Sequence, residues 1–148
     1  MQFRRLKLLK NNVIIEMKSV QFIDNEKTET ELITKGNYTK QNDSWRISYE
    51  DSEATGFEGS VTEICVIGNK FASIIRTGEA HSDLVIEPKK KHHCHYETPY
   101  GSMDIGIYTH SIINKLNDDG GTLYMKYTID INASYMSDNE IILNIKKV

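Results

Sequence analysis

From Leu123 to Asn132 the chain alternates without a break: Leu123, Met125, Tyr127, Ile129 and Ile131 share one parity, and Tyr124, Lys126, Thr128, Asp130 and Asn132 share the other. Strict period-two patterning puts one face on a core and the other in water, which a strand does and a helix does not. The same pattern recurs where Trp45, Ile47 and Tyr49 alternate with Arg46, Ser48 and Glu50, and again at Ile141, Leu143 and Ile145. No stretch carries a long helical period, so the chain must bury its apolar side chains between or inside β-sheets.

Turn residues divide the rest into strands of similar length. Residues 12–23 are rich in β-branched and apolar side chains and end at Asp24-Asn25-Glu26. A second strand over 29–39 carries Gly36 inside it, the mark of a bulge or a barrel corner, and closes at Gln41-Asn42-Asp43. Gly56 to Gly59 ends the Trp45 strand; residues 61–67 and 71–77 flank Gly68-Asn69, a pair tolerant of positive φ and so a hairpin turn. After Gly78-Glu79-Ala80, residues 82–87 form a short strand before Pro88 and a solvated Lys89-Lys90-Lys91 tip. Residues 92–98 and 102–109 are joined by Thr98-Pro99-Tyr100-Gly101, where Pro presets φ and Gly permits the left-handed conformation. Ser111 caps a predicted helical turn over 111–117, Asp118 to Gly121 turns again, and Ser137-Asp138-Asn139 is the expected turn before the last strand.

About ten sequential antiparallel strands without βαβ spacing leave two edges to be managed, and closing the sheet on itself removes them. The expected fold is all-β, a closed or nearly closed up-and-down barrel of about eight to ten strands. A β-sandwich is the alternative, though its Greek-key crossovers need longer connections than most of these turns offer.

A chain of 148 residues fits one domain. We expect a basic N-terminal extension over residues 1–11 and a single barrel over 12–148. With 18 Lys and Arg against 21 Asp and Glu, the net charge of −3 lacks the overall positive charge that favours nucleic acid. Cys65 and Cys94 have no CxxC spacing and read as free thiols in a reducing compartment. No signal-peptide core follows the basic start and no apolar run approaches a membrane span, so a cytoplasmic protein without a membrane partner is expected.

Ser19-Val20-Gln21, Tyr49-Glu50-Asp51, Arg76-Thr77-Gly78, Tyr96-Glu97-Thr98-Pro99-Tyr100-Gly101 and Gly120-Gly121, in that order, resemble the YwiB-like family of small uncharacterised bacterial proteins. The resemblance covers residues 12–148, and Thr-Pro-Tyr-Gly is its most specific part. It implies a calycin-like barrel, related to lipocalins and fatty-acid-binding proteins, and brings no established activity with it. Better-known calycins hold small apolar or amphipathic ligands; that expectation is an analogy of fold.

The inward face should carry Met103, Ile105, Ile107, Leu123, Met125, Tyr127, Ile129, Leu143 and Ile145, which either fill the barrel or line a pocket. Candidate ligand-orienting residues are Arg76, Glu50, Tyr49, Tyr96 and Tyr100, with Arg76 and Glu50 as the charged pair and Arg76 as the seat for an anionic head. Their bland reading is an ion pair that pins strand register, or two side chains in water. Alternation puts His93 and His95 on one face and His92 and Cys94 on the other, so each face offers two metal ligands and would need more from His81 or His110. A surface patch is the simpler account of these histidines, and no cofactor is expected. No GxSxG, P-loop, HExxH or dinucleotide glycine pattern occurs. The leading expectation is a non-enzymatic barrel that binds a small amphipathic molecule; a filled barrel serving protein interaction and a metal- or haem-dependent protein using the histidines are the alternatives.

Overall fold

The computed structural model describes residues 11–98 and 101–148, the side chains of 96–98 apart. Ten strands follow one another: β1 (Val13–Ile23), β2 (Glu26–Gln41), β3 (Ser44–Glu50), β4 (Ser60–Ile67), β5 (Phe71–Gly78), β6 (Ser82–Ile86), β7 (Lys91–Thr98), β8 (Gly101–Asn117), β9 (Gly120–Ile131) and β10 (Ser134–Lys147). Among the described residues every strand-to-strand pairing is antiparallel, in the order β6-β5-β4-β3-β2-β1-β10-β9-β8-β7. The first and last strands are therefore neighbours, and the two ends of the order, β6 and β7, curl towards each other. At that seam the Cys94 thiol donates to the Asp83 carbonyl, and the chain from β6 crosses to β8 through Lys89 N–H to the Thr109 carbonyl at 2.8 Å. The result is the expected meander, a nearly closed barrel.

Two-residue turns with positive φ set the register of the outer hairpins. Asp24 and Asn25 have φ of 48° and 68° between β1 and β2, the type I′ geometry whose twist matches that of the strands. Asn132 and Ala133 do the same between β9 and β10, at 50° and 67°. The last strand thus begins earlier than expected: Ser137-Asp138-Asn139 lies inside β10, beside a bulge between Tyr135 and Ser137, and is not a turn. Asn132 wins the turn because its N–H also reaches the Asp104 carbonyl at 2.8 Å while its side chain accepts from the Asp104 N–H at 3.0 Å.

The helical turn expected over 111–117 is also absent. These residues continue β8 and pair with β9 from Ser111↔Lys126 to Asn117↔Gly120, after a bulge at His110. Ile112 and Ile113 are stiff, β-branched residues, and Ile112 gains burial only as part of the sheet. Asn114 then ties this end of β8 to the β4–β5 turn, its N–H reaching the Asn69 side chain at 2.8 Å and its amide reaching the Gly68 carbonyl at 3.0 Å.

Gly36 is the corner. β2 pairs with β1 up to Gly36 and with β3 only from Asn37 onward, so the strand passes from one half of the barrel to the other there. A Cβ on Gly36 would collide with the Ser48 carbonyl and with Ile15 Cδ1, which is why only glycine allows the approach. Beyond this point β2 and β3 splay, and the barrel has a mouth.

The lumen is packed. Ile15, Ile47, Ile107, Leu123, Met125 and Leu143 have no accessible surface and belong to one cluster. A void large enough for water would leave accessible area on the side chains lining it, so these residues fill the barrel. Of the expected inward set, Ile105, Ile107, Leu123, Met125, Tyr127, Leu143 and Ile145 are buried and Met103 and Ile129 are half-buried. Each fully buried aliphatic side chain contributes about 1.5–3 kcal/mol.

Candidate functional site

Alternation at the end of β3 decides which side chains reach the mouth. Tyr49 faces inward and is 6% exposed, Glu50 faces outward and is exposed, and Asp51 turns inward again just past the strand, held by its N–H to the Ser60 carbonyl at 2.8 Å. In the neighbouring strands Tyr49 lies opposite Thr62, and Thr62 opposite Arg76. Tyr49, Thr62 and Arg76 therefore form one row across three strands, and Asp51 closes it.

The cluster is tightly bonded. Thr62 Oγ1 donates to Asp51 Oδ2 at 2.8 Å, and Arg76 Nε lies 3.1 Å from Thr62 Oγ1 and 3.4 Å from Asp51 Oδ2. With its one proton given to the carboxylate, Thr62 must accept from Arg76. The Asp51 side chain has no exposure and that of Arg76 has 19%, so the ion pair is largely shielded from water. Phe57, from the loop after β3, covers one face of the guanidinium, 3.7 Å from its centre to the ring. Asp51 Oδ1 is buried without a partner among the described residues. Burial, and then the Asp51 charge, push the Tyr49 phenol above its ordinary pKa against the opposing pull of Thr62 and Arg76, so Tyr49 is a neutral hydroxyl here.

Two cavities flank Tyr49. One, of about 180 Å³, is lined by Arg76, Met17, Leu32, Thr30 and Thr55 among others. The second, of about 620 Å³, is the wedge where β2 and β3 part, with Lys35, Asn37, Glu50 and Asp51 on its walls.

Of the residues singled out from the sequence, Arg76 and Tyr49 come together. Glu50 stands on the opposite face of β3, and the carboxylate against Arg76 is that of Asp51; the pairing of Arg76 with Glu50 is corrected accordingly. The Tyr96 side chain and Tyr100 lie outside the described residues. Asp51, Thr62 and Phe57 were missed, although the signal for Asp51 was present: two residues after Tyr49, it shares its face.

The histidines do not converge. His93 and His95 are exposed on β7, and His93 lies 3.3 Å from Asp104; His92, half-buried, lies 2.9 Å from Glu87. His110 sits on the β8 bulge with Nε2 2.7 Å from Thr128, and His81 precedes β6. Among the described residues no three His, Cys, Asp or Glu side chains are placed to hold a metal ion, and no helix is long and apolar enough to cross a membrane.

Fold and site together define a class: a nearly closed antiparallel barrel with a filled interior and a charged, hydroxyl-lined mouth. Within that class the chain belongs to the family described as a domain of unknown function (DUF1934), whose profile matches residues 15–143. The crystal structure of the ywiB protein from Bacillus subtilis shares the fold, with a TM-score of 0.74 over 95% of this chain and 94% of that one at 15% identity. No curated protein matches the sequence.

Proposed function

We propose that this domain is a small-ligand binding protein rather than an enzyme, and that its ligand sits at the Arg76 mouth instead of inside the barrel. The observation that carries the reading is the state of Arg76. An inward-facing guanidinium, 19% exposed, is anchored through Nε to Asp51 and Thr62 and has the Tyr49 phenol beside it, and Arg76 lines a cavity. Buried polar donors are normally satisfied, so donors at a cavity wall are where a ligand's acceptors belong. Met17 and Leu32 offer the apolar surface against which the rest of an amphipathic molecule would rest. The free thiols of Cys65 and Cys94 suit a reducing, cytoplasmic setting.

Native mass spectrometry of the gently purified full chain tests this. A co-purified small molecule that Arg76→Ala no longer retains is the expected result. A bare wild-type chain whose affinity for small anions is unchanged by Arg76→Ala would show the reading to be wrong. The second reading, a barrel that serves protein interaction, is favoured by the absence of accessible surface on Ile15, Ile47 and Leu123, which leaves the interior no room for a guest.

A further inference from the structure

Resting on that reading, we infer that the group taken by Arg76 is a carboxylate, gripped end-on in the guanidinium plane, and that its bearer is a compact monoanion rather than a long-chain amphiphile or a phosphate ester. Three features of the site lead there. Phe57 occupies one face of the guanidinium at 3.7 Å, and Asp51 and Thr62 occupy its Nε side. What is left is the outer edge formed by Nη1 and Nη2, with the Tyr49 phenol beside it. That fork matches the paired oxygens of a carboxylate.

Charge selects against phosphate. Among the described residues Arg76 is the one cationic residue lining its cavity, it already faces Asp51, and Glu31 stands on the same wall. A dianion would bring further oxygens and a second charge to a place with no second cation among the described residues, whereas a carboxylate needs only the fork. Unpaired charge in a half-shielded site is costly.

Volume limits the rest of the molecule. At interior packing density, a space of about 180 Å³ takes roughly ten non-hydrogen atoms. The filled lumen blocks a chain from continuing inward. The walls are mixed, with hydroxyls from Ser19, Thr30, Tyr49 and Thr55 set against Met17 and Leu32, so a short carboxylate with one apolar and one hydrogen-bonding flank fits.

NMR titration of the full-length chain with butyrate, decanoate and inorganic phosphate tests the inference. Butyrate should saturate with shifts at Tyr49, Thr62 and Arg76, bind at least about tenfold more tightly than phosphate, and bind no more weakly than decanoate. Arg76→Lys keeps the charge and loses the fork, so it should weaken butyrate about tenfold or more. Phe57→Ala, at an exposed position that does not threaten the fold, should weaken it by removing the backing of the guanidinium. Phosphate binding as tightly as butyrate, or butyrate binding unchanged in Arg76→Lys or Phe57→Ala, would overturn the carboxylate grip while leaving an anion site at the mouth. Decanoate binding about tenfold more tightly would overturn the compact ligand. Failure of all three probes to bind would take the mouth reading down as well.

Discussion

Asp51 and Arg76 meet at 3.4 Å with Thr62 wedged between them, and the carboxylate has no exposed surface at all. Removing one side of a shielded pair strands the other, which costs more than the pair itself is worth. Asp51→Ala should therefore lower the free energy of unfolding by about 3 kcal/mol, within the range for a broken buried pair. Glu50→Ala, next door but exposed, should cost no more than about 1 kcal/mol, the ceiling for a surface ion pair. Urea denaturation of the two variants side by side decides it; equal losses would mean that the inward carboxylate has been misidentified.

Gly36→Ala should be among the most damaging single-methyl changes in the chain. The added carbon meets the Ser48 backbone and the buried Ile15 side chain, neither of which can move without undoing the β2–β3 corner. Overpacking of this kind costs about 1–3 kcal/mol or more. Thermal unfolding checks the prediction, with Gly68→Ala as the control for positive-φ strain, since nothing lies near a Cβ at Gly68. A smaller loss at Gly36 than at Gly68 would contradict the corner.

Leu123→Ala tests whether the lumen is filled. Leu123 is fully buried in the central cluster, and truncation should cost about 2–5 kcal/mol and leave a dry void. Benzene or xenon should then bind to the variant and raise its melting temperature but leave wild type unaffected. Binding to wild type would show that the barrel already has room.

Burial alone pushes the Tyr127 phenol up to about 12, and burial followed by the Glu140 carboxylate brings Tyr124 to about 12 as well. Both values lie above the unfolded phenol's, near 10. The folded state therefore holds these protons more tightly, and the resulting stability is full below about pH 10 and lost as pH rises towards 12. Alkaline unfolding followed by circular dichroism and phenolate absorbance should fall in that window. Tyr127→Phe should shift the midpoint to higher pH, and an unchanged midpoint would remove Tyr127 from the account.

The meander was legible because its evidence is local. Alternation in β3 and β9, and Gly68-Asn69 between β4 and β5, are properties of neighbouring residues, and Gly36 announced its corner by lacking a side chain inside a strand. The errors also have local causes. Ser111 looked like a cap because the pairing that claims residues 111–117 comes from β9, and Ser137-Asp138-Asn139 looked like a turn because Asn132 gains its second bond from Asp104, 28 residues away in sequence. The site was half legible: parity alone sets Tyr49 and Asp51 on one face and Glu50 on the other.

The amino-acid order, by itself, determined the meander, most of its turns and the side chains that face inward, because these depend on dihedral preference and on a period of two, whereas the strand over residues 111–117 and the turn at Asn132 were settled by partners distant in sequence. Only the tertiary structure decided that the barrel is full and that Arg76 answers to Asp51 under the cover of Phe57. Packing volume and the partner of a charge depend on how far each strand is staggered against the next, a quantity shared by the whole sheet and written in no single segment.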